Sequence, residues 1–341
     1  MILVTGGAGY IGSHSVVELY KKGHKVLIAD NFSNSSPLVI GKLKTITGQE
    51  PDFIEVDLCD YNKLKTLTEN YDISGVIHFA AYKSVGESVN APLNYYENNI
   101  QSLINVLKLC KERKIDDFVF SSSCTVYGNP EIIPVTEQSK IGKAESPYGK
   151  TKIISEEILL DFYKANPISI CNLRYFNPIG AHQSGLIGDY PDGKPNNLLP
   201  FVTQVAAGLR EKLSVFGDDY NTKDGTCLRD YIHVIDLAKA HVNAIDYSSK
   251  NKGKYSVFNL GTGQGVSVLE LLNTFEAVNN IRVNYEISPR RTGDVEAIYA
   301  DCSKAEKELN WVAELNLAEM LSSAWKFQQK IVTWINLIKQ Y

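Results

Sequence analysis

Short apolar runs alternate with amphipathic stretches through the first half of this chain. Ile2–Val4, Lys25–Ala29, Phe53–Val56, Val76–Phe79, Phe118–Phe120 and Ile168–Leu173 read as strands. They are short, rich in β-branched residues and continuously apolar, as strands buried on both faces are. Between them, Tyr10–Lys22, Leu38–Thr47, Tyr61–Asn70, Leu93–Arg113 and Tyr148–Tyr163 carry apolar residues at helical spacing. This alternation predicts an α/β fold, a Rossmann-like doubly wound parallel sheet with helices on both faces. After residue 174 the texture changes. Pro, Gly and Asn punctuate 177–200, short strands and helices follow, and a helical pattern runs from Leu317 to about Lys339. The pattern predicts a dinucleotide-binding domain over 1–174 and a smaller mixed α/β substrate domain over 175–341. Ser256–Leu260 reads as a return of the chain to the first domain.

At 341 residues with 44% apolar side chains, the chain can build a large core without a metal or disulfide staple. A net charge of −4 argues against a nucleic-acid polymer as partner. No apolar run nears the roughly 18 residues of a membrane span. The chain opens directly into a strand, with no basic segment leading an apolar one, and its six cysteines are scattered without a Cys-x-x-Cys pair. No zinc site, no export and a reducing, cytoplasmic location are therefore expected.

Thr5-Gly6-Gly7-Ala8-Gly9-Tyr10-Ile11-Gly12 joins the first strand to the first helix. Gly6, Gly9 and Gly12 permit a tight turn, close backbone approach to a pyrophosphate and close helix packing. The helix N-terminus offers free N–H groups to phosphates. Asp30 ends the second predicted strand 18 positions after Gly12. A carboxylate there suits a ribose diol and opposes a 2′-phosphate, favouring NAD over NADP. Asp57 ends the third strand, near where an adenine edge would lie. A second glycine loop, Gly261-Thr262-Gly263-Gln264-Gly265, precedes a capping-box pair, Ser267 and Glu270. It lacks a matching acidic strand end and reads as structural.

A hydroxyl cluster, Ser121-Ser122-Ser123, follows the fifth strand. Tyr148 and Lys152 then share one helix face at i, i+4. The same spacing at Tyr61/Lys65 lacks an upstream hydroxyl cluster, and at Tyr190/Lys194 it falls in a loop. A phenol, an ammonium and a serine suit alcohol oxidation beside a nicotinamide. Moving a phenol from ~10 to ~7 takes about 4 kcal/mol. One cation ~5 Å away at an effective dielectric of ~20 supplies roughly 3 kcal/mol. Lys152 is thus expected to do most of the acidifying, helped by the pyridinium charge, with Ser123 orienting the hydroxyl and relaying its proton.

These residues, with Val76-Ile77-His78-Phe79-Ala80-Ala81, Lys83-Ser84-Val85-Gly86-Glu87-Ser88, Arg174-Tyr175-Phe176-Asn177-Pro178-Ile179-Gly180, Pro195-Asn196-Asn197-Leu198 and Arg229-Asp230-Tyr231-Ile232-His233, run over nearly the whole length. Together they resemble the extended short-chain dehydrogenase/reductase superfamily, and within it the epimerases of UDP-hexoses. The resemblance implies interconversion of UDP-galactose and UDP-glucose in galactose metabolism. Sugar C4 is transiently oxidised, and hydride returns without facial preference from a tightly bound NAD. It implies that Gly6, Gly9, Tyr10, Ile11 and Gly12 hold the pyrophosphate, with Asp30 and Asn31 at the ribose and Asp57 and Leu58 at the adenine. Phe79, Ala80, Lys83 and Asn98 would line the cofactor site, Tyr175 would flank the nicotinamide, and Ser123, Tyr148 and Lys152 would be catalytic. Asn177, Asn197 and Leu198 would meet the sugar nucleotide. Phe216 would lie near uracil, Asp294 near the uridine ribose, and Arg229 and Arg291 at the diphosphate. Salt bridges to Asp230 or Asp294 are the plainer use for those two arginines. Ile298 would wall the hexose pocket; its intermediate size leaves N-acetylated sugars open, with exclusion favoured. The resemblance also implies a homodimer through the helices at Leu93–Arg113 and Tyr148–Tyr163. Two other readings remain. A sugar-nucleotide 4,6-dehydratase would carry Asp-Glu where Cys124-Thr125 stands, and a non-catalytic NAD-binding protein would not need Tyr148 and Lys152.

Overall fold

The computed structural model describes residues 1–191, 193, 195–291 and 293–338. The predicted loop residues Asp192 and Lys194, and the helix end at Lys339, lie outside them. The first half runs β1 (Ile2–Thr5), α1 (Tyr10–Lys21), β2 (Val26–Asp30), α2 (Leu38–Thr47), β3 (Asp52–Glu55), α3 (Tyr61–Leu67), β4 (Gly75–His78), α4 (Val85–Asn90), α5 (Pro92–Arg113), β5 (Asp117–Ser121), α6 (Pro147–Ala165) and β6 (Ser169–Tyr175). Then come β7 (Asn177–Ile179), α7 (Leu198–Ala206), β8 (Leu213–Phe216), β9 (Leu228–Arg229), β10 (Tyr231–His233) and α8 (Val234–Lys250). The chain ends with β11 (Tyr255–Leu260), β12 (Val266–Ser267), α9 (Val268–Asn279), β13 (Tyr285–Ser288), β14 (Ala297–Ile298), α10 (Ser303–Leu309) and α11 (Leu317–Ile338).

Seven parallel strands form the central sheet in the order β11-β6-β5-β4-β1-β2-β3. The order reverses between β1 and β4, and open α/β sheets bind ligands at such a switch point. β1, β2, β4 and β5 are buried along their whole length, because helices cover both faces. One face packs on α1, α2 and α8 through Val16, Leu43 and Leu237. The other packs on α3, α5 and α6 through Leu64, Leu103 and Leu159. The return of the chain to the sheet is larger than the Ser256–Leu260 strand: α8 also packs along α1, β5 and β6. A further apolar cluster joins α7, β8, α9 and α11 through Val202, Val215, Phe275 and Leu321.

Local chemistry sets where the functional helix begins. Ser146 is extended and its Oγ accepts the Gly149 N–H at 3.1 Å. Pro147 follows at the first helical position, where its missing N–H costs nothing. The cap therefore fixes α6 to start one residue before Tyr148, turning Tyr148 and Lys152 toward the end of β5.

Candidate functional site

The glycine loop closes tightly over the end of β1. Gly6 has φ +68°, and a Cβ there would stand 2.8 Å from the Ala80 N. A Cβ on Gly12 would stand 2.2 Å from the Gly6 carbonyl oxygen, so α1 can approach the loop only with glycine at that position. Asp30, at the end of β2, is buried. Its Oδ2 accepts the Ala8 N–H at 2.9 Å, and its Oδ1 accepts from the Phe32 N–H and the Ser35 hydroxyl. One carboxylate thus ties the glycine loop to the β2–α2 loop.

Loop and sheet end open into a cavity of about 460 Å³. Its wall includes Gly6, Gly9, Tyr10, Ile11 and Gly12, then Asp30, Asn31, Asp57 and Leu58. Phe79, Ala80, Lys83, Asn98, Tyr148, Lys152 and Tyr175 complete the set that the sequence assembles there. The opposite wall was not foreseen. It consists of Leu186–Pro191 and of Phe327 and Ile331 on α11. The Tyr10 hydroxyl donates to the Gly180 carbonyl at 2.7 Å, and Lys83 Nζ lies 3.5 Å from Asp189 Oδ1. The second contact bridges the two walls, and the first ties the glycine loop to the segment that follows β7.

Ser121, Ser122 and Ser123 leave β5 in three directions. The Ser121 hydroxyl donates to the Tyr175 hydroxyl at 3.1 Å, and its carbonyl accepts from Lys152 Nζ at 2.6 Å. The Ser122 hydroxyl donates to Glu156 at 2.5 Å, and that carboxylate also holds Arg174 in a buried ion pair. Ser123 caps a 3₁₀ turn, Cys124–Tyr127, and its hydroxyl interacts with the Tyr148 phenol, pulling its pKa down. Burial outweighs that pull and, with Tyr175 nearby, raises the phenol well above its ordinary value. Burial also lowers Lys152 to about 8, partly offset by Glu156. The expected acidification by Lys152 is therefore not met by the protein's own groups: burial acts on both partners, favouring their neutral forms. Burial pushes the Cys124 thiol up to about 12, consistent with an inert packing role.

The remaining candidate residues are not part of the cavity wall. Ile298 is buried against Val126 of the 3₁₀ turn and Phe176. It pairs in register with Arg229 across β14 and β9. Arg229 donates to the Leu228 and Val295 carbonyls at 2.8 Å, and Asp294 faces both arginines, 3.5 Å from Arg229 and 2.8 Å from Arg291. The Arg291 guanidinium lies 5.6 Å from the Phe216 ring centroid. Of the two salt-bridge partners weighed from sequence, Asp294 is used by both arginines, while the Asp230 carboxylate is turned elsewhere. Asn197 donates to Asp189 at 3.2 Å, Leu198 begins α7, and the Asn177 N–H donates to the Asp230 carbonyl at 2.9 Å. Among the described residues no cluster of His, Cys, Asp or Glu is suited to a metal ion.

A switch-point cavity, a glycine loop with an acidic strand end, and a Ser/Tyr/Lys set beside both define the extended short-chain dehydrogenase/reductase class. In keeping with that class, the family model described as GDP-mannose 4,6 dehydratase matches residues 3–324. UDP-glucose 4-epimerase of Haemophilus influenzae is 50% identical over 96% of this chain and 97% of its own. The Bacillus subtilis UDP-glucose 4-epimerase is 49% identical over 97% of each. Among solved structures, UDP-glucose-4-epimerase from Stenotrophomonas maltophila, with bound NAD and formylated UDP-arabinopyranose, superposes with a TM-score of 0.95 at 46% identity. That match covers 98% of this chain and 99% of that one. The Bifidobacterium longum enzyme, in complex with NAD⁺ and UDP, gives 0.93 at 47% identity over 96% and 98%. The chain belongs to the UDP-glucose 4-epimerase family.

Proposed function

We propose that this protein interconverts UDP-galactose and UDP-glucose with NAD as a retained cofactor. The observation that carries this reading is the presence of Tyr148 and Lys152 in the wall of the cavity that the glycine loop and Asp30 also line, with Ser123 beside the phenol. The residues fit NAD: Gly12 leaves room for the backbone to approach a pyrophosphate, and Asp30 lies in the cavity wall as an acceptor for a ribose diol. The chemistry NAD supplies when bound is reversible hydride acceptance at sugar C4.

The protein's own groups handle the proton and the anchoring. Tyr148 takes the 4′-hydroxyl proton and later returns it. Ser123, in contact with that phenol, orients the sugar oxygen. Lys152 places a positive charge below the site while its carbonyl partner, Ser121, fixes its position. Arg229 and Arg291 hold the diphosphate by forked donation, with Phe216 and Asp294 on the uridine side and Asn177, Asn197 and Leu198 along the sugar nucleotide. Firm anchoring there leaves the hexose free to present either face. Ile298 walls the hexose pocket and disfavours an N-acetyl group.

A 4,6-dehydratase is disfavoured because Cys124 and Thr125, not carboxylates, follow Ser123. We assign residues 1–174 to the cofactor and 175–341 to the sugar nucleotide, with α8 and β11 returned to the sheet. A homodimer through α5 and α6 is supported by exposed Leu93 and Leu160 on those helices, and light scattering tests it. The cytoplasmic placement rests on six free thiols, and cell fractionation tests it. The test of function is to purify the protein without added nucleotide, measure NAD per chain, and separate the products formed from UDP-galactose and UDP-N-acetylgalactosamine. About one NAD per chain and conversion of UDP-galactose are expected.

A further inference from the structure

The second glycine loop, Gly261-Thr262-Gly263, has the donor geometry of a phosphate cradle, and the anion it holds belongs to the protein. Asp230 is fully buried. Its Oδ1 accepts the Thr262 N–H and the Thr262 hydroxyl, each at 2.7 Å, and its Oδ2 accepts the Gly263 N–H and the Ala300 N–H, each at 3.1 Å. A Cβ on Gly261 would stand 2.3 Å from Oδ2, so the carboxylate leaves room for glycine alone at that position.

What this carboxylate joins gives it a use beyond stability. The small sheet has the order β12-β9-β14. Asp230 follows β9 directly. Thr262 and Gly263 lie just before β12, and Ala300 lies just after β14. One side chain therefore fastens the neighbourhoods of all three strands at one end. Arg229 is the last residue of β9 and Ile298 the last of β14, and they are in register. The Asp230 carbonyl also accepts the Asn177 N–H at 2.9 Å. Asp230 thus adjoins three residues that the proposed function assigns to the sugar nucleotide, and its carboxylate is not the ion-pair partner of Arg229, which is Asp294.

We propose that Asp230 is a positioning residue for UDP-sugar binding, holding Arg229 and the Ile298 strand at the spacing the diphosphate and hexose require. This rests on the reading of Arg229 as a diphosphate ligand. A buried anion with four donors is hard to replace. In Asp230→Asn the amide nitrogen faces at least one backbone N–H that can only donate, whichever way the side chain turns. The sheet end must then shift, and Arg229 with it.

The test uses the purified NAD-loaded enzyme, calorimetric titration with UDP, and steady-state kinetics on UDP-galactose. Asp230→Asn is expected to raise the dissociation constant for UDP and KM for UDP-galactose about tenfold, with NAD per chain unchanged and kcat altered far less. Thr262→Val removes only the hydroxyl donor and is expected to raise both about threefold. It decides the matter if Asp230→Asn does not fold. Arg229→Ala is the control. If it weakens UDP binding while the folded Asp230 and Thr262 variants bind UDP as the wild type does, even at lowered melting temperature, the carboxylate is only a structural fastener and this proposal is overturned. If Arg229→Ala binds UDP normally, the reading of Arg229 and the proposal fall together.

Discussion

Lys152 Nζ is anchored on the Ser121 carbonyl at 2.6 Å and stands 5.9 Å from the centroid of the Tyr148 ring. The ammonium is therefore held by the strand end and lies beside the phenol ring. Burial brings its pKa down to about 8, so it keeps its proton below that pH and loses it above. The pH profile of kcat/KM is expected to show an alkaline limb near 8, which Lys152→Arg moves upward because a guanidinium stays charged.

Lys152→Met should separate catalysis from stability. The charged form of a buried lysine is costly at neutral pH, where the unfolded chain keeps it in water. The folded value lies below the unfolded one, so this group opposes folding at neutral pH, and the opposition fades as pH rises from about 8 toward the unfolded lysine range. Activity should fall at least about a hundredfold, while the melting temperature at pH 7 does not fall. Assay and thermal scan of the same preparation check both.

Asp30 should govern cofactor retention. Asp30→Ala leaves the Ala8 and Phe32 N–H groups without their acceptor. The expected cost is about 1–3 kcal/mol of stability, with NAD lost on gel filtration. Chemical denaturation and the absorbance ratio of the purified protein measure the two effects.

Acid should unfold the protein through buried histidines. His14 is lowered to about 3, and His182 and His233 to about 4, chiefly by burial. The His14 and His182 rings lie 6.4 Å apart, each with a buried unpartnered Nε2. Their folded values lie below the unfolded range near ~6.5. The stability they confer is therefore complete above that range and is lost as pH falls toward 4 and 3. The melting temperature should be flat between about pH 7 and 8, where these histidines are neutral, and drop between about 6.5 and 4, less steeply in His14→Gln.

Ile298 should tune substrate choice. It is buried against Val126 and Phe176, and Ile298→Ala should cost about 2–5 kcal/mol. The ratio of activity on UDP-N-acetylgalactosamine to that on UDP-galactose should rise. Product chromatography with both substrates checks the direction.

The cofactor half was legible because its signals are local. The apolar run into the glycine loop, the Asp30 strand end and the Ser146-Pro147 start of α6 each sit within a few residues. Even α2 falls where its apolar spacing places it, Leu38–Thr47. The missing parts are those set at a distance. Phe327 reaches the cavity from α11, which begins well past β11, the last strand of the sheet in the chain, and the Leu186–Pro191 segment arrives through a loop with no period to read. α8 carries a clear apolar stripe; its packing along α1 and the sheet was hidden because nothing local says which domain that stripe covers. The charge balance at Tyr148 was misjudged because spacing reports which groups are near and says nothing of the water they lose.

The most direct test is conversion of UDP-galactose to UDP-glucose by the purified protein without added NAD, comparing wild type with Tyr148→Phe at equal NAD content. The phenol hydroxyl is the proton's only named destination. Wild type should convert the substrate, and the variant should be slower by about a hundredfold or more. Equal rates in the two proteins would contradict the account.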